Sequence, residues 1–372
     1  MKKRLFSLFT AFIIGMSLVA VVPTMAVGAE TSGDFEYKIL YDGTIEIIDY
    51  NGSATNLTIP STIDGKQVTI IGSWAFQYCL SLTNITIPNS VTSIEFGAFY
   101  CCSSITNISM SNSLIFIEEN VFNGCSSLTD IIIPDSVISV EDLAFANCSN
   151  LTNVTIGNSV TGIGDLTFAG CLSLSNIIIP DNVTSIGYEA FWGCSLLTNI
   201  TVDYKNINYS SADGVLFNKN KTKLIQYPIG NLRNSYSLPN SVKSIEDGAF
   251  ARCSNLINVT IGNQVTGIGE YAFYNCSSLV NVYYTGSKNE WDKVLIHSSN
   301  KNLINANIHF KEHIHSYTSK ITKQPTCTAT GIKTFTCSCG DSYTETITKT
   351  GHSYSTKVIV PTCTSQGYTL HT

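Results

Sequence analysis

Thirteen cysteines and six histidines are the residues of this 372-residue chain best suited to nucleophilic or metal chemistry. Eight of the cysteines stand three residues after a phenylalanine. The pairs are Phe76 and Cys79, Phe99 and Cys102, Phe122 and Cys125, Phe145 and Cys148, Phe168 and Cys171, Phe191 and Cys194, Phe250 and Cys253, and Phe273 and Cys276. A cysteine or serine nucleophile needs a base beside it, most often histidine. The first histidine is His297, so the region holding these pairs has none. Carboxylate pairs remain, Glu118-Glu119 and Glu141-Asp142. They precede an Ala-Phe or Val-Phe step, where acids favour the dipole of an expected helical turn rather than catalyse. Gly162-Ile163-Gly164 and Gly267-Ile268-Gly269 lack the extension of a nucleotide-binding loop and read as turn glycines. No catalytic residue, metal or cofactor is expected.

The spacing of these pairs carries more information than their chemistry. Within the first six pairs, and again within the last two, the step is 23 residues. A period in this range marks a solenoid, each copy being one coil that buries its apolar side only by stacking on its neighbours. Leu82, Ile85 and Ile87 are spaced so that Ile85 and Ile87 face one side of a short strand. Pro88 ends the strand, having no N–H to donate. Val91 and Ile94 begin a second apolar face, and Ala98, Phe99 and Cys102 close the coil at a spacing that suits one helical turn. Equivalent cysteines of stacked coils would lie about 5 Å apart, within disulfide reach. Parallel side chains oppose the required torsion, so these residues read as small buried hydrophobes. Nine thiols in the array, counting Cys101, point to a low-oxygen niche if the protein is exported.

The elements around the array are less regular. Asp34 to Tyr50 reads as a hairpin turning at Asp42-Gly43. Trp291, Val294, Leu295 and Leu303 are placed to cover the last open coil. Between Cys194 and Cys253 the step lengthens, and the extra chain, about 203–230, reads as a hairpin protruding from one edge. The fold class is a β-rich solenoid over 30–310, with caps at both ends, followed by small cysteine-containing tail repeats over 311–372. In the tail, His315 matches His352 and Cys327 matches Cys363, the second copy stopping short of the equivalent of Cys337. A disulfide from Cys327 to Cys337 or Cys339 suits a small exported module. A zinc site using His315 or His352, and free thiols, stay open beside it.

Composition bounds the setting. The chain is 44% hydrophobic and 13% charged, which supplies a core and argues against disorder. Residues 1–29 read as a signal peptide, with Lys2, Lys3 and Arg4 ahead of an apolar run and small residues before Glu30. No other run approaches the ~18 apolar residues that span a bilayer, so the mature chain is expected to lack a transmembrane segment. Residues 30–310 hold twelve Lys or Arg against 24 Asp or Glu. That balance disfavours nucleic acid as a partner.

The combination Ile-Pro-x-Ser-Val, Ser-Ile and Ala-Phe-x-x-Cys, as in Ile87 to Cys102, resembles the BspA-like class of leucine-rich repeats. The segments at Gly33–Ile47, Asp213–Pro228 and Thr285–Phe310 resemble that family's accessory pieces. The resemblance implies a leucine-rich-repeat fold and a secreted or cell-surface bacterial protein that adheres to a protein ligand, host extracellular-matrix proteins among them. Two surfaces are expected to bind. One is the outward strand face, including Asn84, Thr86, Asn153, Thr155, Asn199 and Thr201, whose asparagines also suit a hydrogen-bonded ladder between coils. The other is the cluster Lys219, Lys221 and Lys223 on the inserted segment. Two rivals stand beside adhesion. A carbohydrate module could stack host or wall glycans on Tyr283, Tyr284 and Trp291, and a targeting scaffold could serve an enzyme encoded beyond Thr372.

Overall fold

The computed structural model describes residues 28–311, 317–337, 340–351 and 355–371. Nearly all of the expected signal peptide, and the tail residues His315, Cys339 and His352, lie outside them. The chain divides into two compact units, Met1–Phe310 and Lys311–Thr372. Among the described residues no helix is long and apolar enough to cross a membrane.

The first unit is a β-solenoid in which each coil contributes two short strands. On one side Asn84 pairs with Asn107, Ile85 with Ile108 and Thr86 with Ser109, in parallel and in register. The same register joins Asn153 to Asp130, Asn199 to Asn176 and Asn281 to Asn258. On the second side Ser139, Gly162 and Ser185 line up in a parallel ladder. Among the described residues helix is confined to Lys288–Trp291 and Lys301–Ile304.

The Phe-x-x-Cys segment is not the helical turn its spacing suggests. The residues two before and two after each Phe have positive φ, whether glycine or not: Trp74, Gly97, Asn120 and Leu143 on one side, Tyr78, Cys101, Gly124 and Asn147 on the other. A helix needs an unbroken right-handed run, and a left-handed residue costs about 1–2 kcal/mol where it is not glycine. Stacking explains why the chain tolerates that cost. In most coils the N–H of such a residue donates to the next coil: Trp74 to Phe96 O, Cys101 to Asn123 O, Leu143 to Asp165 O and Asn147 to Ala169 O. The Phe itself does the same, Phe76 to Ala98 O and Phe145 to Thr167 O. The turn is therefore a third inter-coil ladder, satisfying backbone groups that the buried corner would otherwise strand.

This ladder sets the aromatic rings face to face. Tyr50, Phe76, Phe99, Phe122, Phe145, Phe168 and Phe191 form one stack, with neighbouring centroids 5.0–6.0 Å apart. A second stack runs Tyr227, Phe250 and Phe273, at 5.1 and 4.8 Å. Two buried clusters coincide with the two stacks.

The inserted segment contains an antiparallel hairpin within the 203–230 read from the sequence, but it does not protrude. Tyr209–Ala212 and Val215–Asn218 are antiparallel, and Lys223–Gln226 then joins the parallel ladder of the next coil at Ser244 and Ile245. Val215, Leu216, Phe217 and Leu224 are buried, because the segment is a lengthened coil packed into the stack. Tyr227, 23 residues before Phe250, occupies the position of the missing Phe, and its N–H donates to Ala249 O.

The ends are closed by dedicated residues. Phe35–Ile39 and Ile45–Tyr50 form the N-terminal hairpin, and Ile45–Tyr50 continues the parallel stack. At the other end Val294 and Leu303 are buried and Trp291 packs on the core, but Leu295 is 78% exposed and covers nothing. The last coil has no successor to accept from Phe273, and the buried Asn300 substitutes. Its Oδ1 accepts from Phe273 N at 2.8 Å and its Nδ2 donates to Gly269 O at 2.8 Å. Asn300→Ala should destabilise the array by about 1–3 kcal/mol, the cost of stranding a buried donor. Hydrogen exchange at Phe273 should accelerate before the rest of the core, and uniform exchange would show the cap to be dispensable.

Candidate functional site

The cysteines, the residues most suggestive of chemistry, are part of the scaffold. Cys102, Cys125, Cys148, Cys171, Cys194, Cys253 and Cys276 are buried, while Cys79 in the first coil is half-buried. Six thiols donate to the carbonyl of the Phe in the preceding coil: Cys102 to Phe76, Cys125 to Phe99, Cys148 to Phe122, Cys171 to Phe145, Cys194 to Phe168 and Cys276 to Phe250, at 2.9–3.4 Å. A small side chain that is apolar yet carries one weak donor fits this corner. Burial pushes the Cys194 and Cys276 thiols up to about 12, and the Cys148, Cys171 and Cys253 thiols well above their ordinary range. A nucleophilic thiolate needs the opposite shift.

The carboxylates are also occupied. Asp142 Oδ1 accepts from Asp165 N, Asp165 Oδ1 from Tyr188 N, and Asp247 Oδ1 from Glu270 N, each at 2.6 Å. A Cβ on Gly164 or Gly269 would sit 2.5 or 2.2 Å from the carboxylate oxygen of the preceding coil. Those glycines serve close approach between coils. Glu118 is raised by desolvation and by the stacked Glu95 and Glu141. Among the described residues no group of His, Cys, Asp and Glu is arranged to hold a metal ion.

The outward strand face is more open. Asn84 donates to Asn56 Oδ1, Asn153 to Asp130 Oδ1 and Asn281 to Asn258 Oδ1, so part of the asparagine column is a ladder between coils. At Asn176 and Asn199 the amide turns instead to Ser175 or Thr201 of its own strand. Two residues along lies a column of Thr86, Ser109, Ile132, Thr155, Ile178 and Thr201, all exposed. Ile132 is 69% and Ile178 59% exposed, and each points away from a core that buries Ile131 and Ile177. The column and its two isoleucines are legible in the sequence, and the structure adds that both side chains are exposed.

The three lysines of the insertion do not form one free patch. The Lys219 ammonium donates to the backbone carbonyls of Tyr204 and Asn206. Lys223 pairs with Glu246 at 3.5 Å, and Lys221 is half-buried at a left-handed position. The proposed sugar platform is also divided. Tyr284 is buried against Trp291, and Tyr283 stands exposed, stacked on His309 at 4.8 Å.

In the tail unit Tyr317–Lys323, Gly331–Cys337 and Ser342–Ile347 form a three-stranded antiparallel sheet. Cys327 is a free thiol in the loop that precedes Gly331, and Cys337 ends that strand. The expected disulfide from Cys327 to Cys337 is not formed, and the alternative partner Cys339 lies outside the described residues.

The repeat profile described as BspA type Leucine rich repeat region (6 copies) matches residues 49–171, 116–234 and 230–336. Among solved structures, the chain is 26% identical to a leucine rich cell surface protein from Faecalibacterium prausnitzii, covering 73% of this chain and 98% of that one with a TM-score of 0.50. It is 25% identical to the pneumococcal vaccine antigen PcpA, covering 69% and 72% with a TM-score of 0.61. A leucine-rich repeat protein from Bacteroides ovatus is 26% identical, covering 68% and 70% with a TM-score of 0.52. No curated protein matches the chain.

Proposed function

Because the chain belongs to the BspA-type leucine-rich-repeat family, we propose that it is an exported bacterial surface protein that adheres to a host extracellular-matrix protein through its outward strand face. Similar solved structures include one described as a cell surface protein and one described as a vaccine antigen, which supports a surface setting. The basic and apolar character of residues 1–29 supports export through a cleaved leader. Scaffold roles for the cysteines and carboxylates support a binding function without catalysis.

The observation that carries the reading is the exposed column with Ile132 and Ile178 between hydroxyls. Exposed apolar side chains on a polar, preformed face gain from burial against a partner, at about 25 cal/mol per Å². Weak contacts repeated across coils then add up along an extended ligand. Ile132→Asp combined with Ile178→Asp should weaken capture on a panel of extracellular-matrix proteins by tenfold or more, on the order of 1–2 kcal/mol from the lost burial alone. Circular dichroism should stay unchanged, since neither side chain enters the core. Undiminished capture by the double variant would remove the strand face as the adhesive surface, and binding to a glycan array in place of the protein panel would replace the ligand class.

A further inference from the structure

The two aromatic stacks meet at a gap, and the gap is a cleft. The lengthened coil carrying Tyr227 omits the outer turn, so the turn at Glu246–Gly248 faces the Gly187–Glu189 turn directly. A cleft of about 530 Å³ opens between them, lined by residues that include Tyr188, Glu189, Phe191, Tyr209, Gln226 and Asp247. The Glu189 carboxylate reaches across it, lying 3.6 Å from where a Cβ on Gly248 would stand.

The hydrogen-bonding inventory of the lining leaves several acceptors open. Some of its donors are used within the protein. The Tyr209 hydroxyl donates to Thr184 O and accepts from Ile186 N, and Lys223 pairs with Glu246. Asn218 is committed on both its atoms to Thr222 and Lys223. Acceptor capacity is left over. Asp247 uses Oδ1 alone, for Glu270 N, and Gln226 uses Nε2, for Tyr227 O. Glu189 has no ion-pair partner among the described residues. Two unneutralised carboxylates therefore share a half-open space with two tyrosines, and Tyr188 is 45% exposed.

We propose that this cleft binds the guanidinium of an arginine side chain presented by a partner polypeptide. A guanidinium carries five donors and no acceptor, so it matches what the lining leaves unsatisfied. Its plane suits carboxylates, which it can grip in bidentate fashion, and it stacks on aromatic faces. The excess of acids in residues 30–310 draws a cationic segment toward the array. The site adds a chemically specific contact to the protein-interaction reading and lies off the strand face, so either can fail without the other.

Isothermal titration calorimetry of the purified chain at low salt, with acetyl-Gly-Arg-Gly-amide as the probe, tests the assignment. The citrulline analogue, which replaces the guanidinium with a neutral urea, should bind about tenfold more weakly or less, given the strength of charged hydrogen bonds. Glu189→Gln should lose a similar factor. Asp247→Asn, which keeps an oxygen for Glu270 N, should lose affinity as well. Asp142→Asn alters a carboxylate of the same kind outside the cleft and should bind like the parent. Ile132→Asp with Ile178→Asp should leave the affinity unchanged. No measurable binding of the arginine peptide, equal binding of the citrulline peptide, or full affinity in both cleft variants would overturn the proposal. Tighter binding of free arginine than of the peptide would overturn the assignment to a polypeptide.

Discussion

Raising the pH from 8 to 11 should unfold the array at a urea concentration that it withstands at neutral pH. The thiols of Cys102, Cys125, Cys148, Cys171, Cys194, Cys253 and Cys276 are all raised by burial or by a neighbouring thiol in the folded chain, Cys194 and Cys276 to about 12. In the unfolded chain they titrate at an ordinary value, 9.0. The folded state thus holds protons that the unfolded state releases. Stability is fully present below pH 9 and is lost as the pH climbs toward the folded values. Each such thiol removes about 1.4 kcal/mol per pH unit in that window. Their sum soon exceeds the 5–15 kcal/mol that typically holds a protein folded. Cys79 opposes the trend, because the neighbouring Cys102 lowers its thiol, but it is a single half-buried group. Urea midpoints at pH 8, 9, 10 and 11 give the slope, and Cys148→Ala with Cys171→Ala should flatten it. A midpoint that holds steady across this range would show that the thiols are not sealed in the stack.

The second large effect is expected from Phe145→Ala. Phe145 is fully buried, stacked between Phe122 at 5.4 Å and Phe168 at 5.7 Å. Removing a buried phenyl ring typically costs 3–5 kcal/mol, a transfer cost plus the cavity left behind. Here the cavity cannot close by local collapse. The Phe145 N–H is tied to Thr167 O, and its carbonyl accepts the Cys171 thiol at 3.3 Å. The backbone of the turn is held in place while its filling is lost. Phe145→Leu restores most of the volume without the flat face and should recover part of the loss. A cost below about 1 kcal/mol for the alanine variant would mean that the ring contributes little to the stack.

The coil itself was legible because its side chains recur. Phe and Cys positions, the strand isoleucines and the proline that ends each strand repeat where the core needs them, so residue type and period agree. The turn conformation was not legible. Leu143, Asn147 and Trp74 are ordinary residues at left-handed positions, and what stabilises them is a carbonyl some 22 residues away in the next coil. Tyr227 was hidden by the 36-residue step from Phe191, although stepping back 23 residues from Phe250 reaches it. Buried Val215, Phe217 and Leu224 show that the insertion is core, which its runs of Asn and Lys disguise. The lysines there were visible as charges, whereas their engagement with Tyr204 O, Asn206 O and Glu246 depends on how the coil folds back. The seam cleft had no residue signature at all, since it arises from a turn that is missing.

The stacked array is the central claim, since it assigns the cysteines and carboxylates to structure and leaves function to exposed surface. Hydrogen exchange of Phe145→Ala under native conditions tests it most directly. The ring stack and the turn ladder tie each coil to both neighbours, so amides at Phe122 and Phe168 should exchange faster along with those of the altered coil. Faster exchange confined to the coil of Phe145, with Phe122 and Phe168 unchanged, would contradict the account.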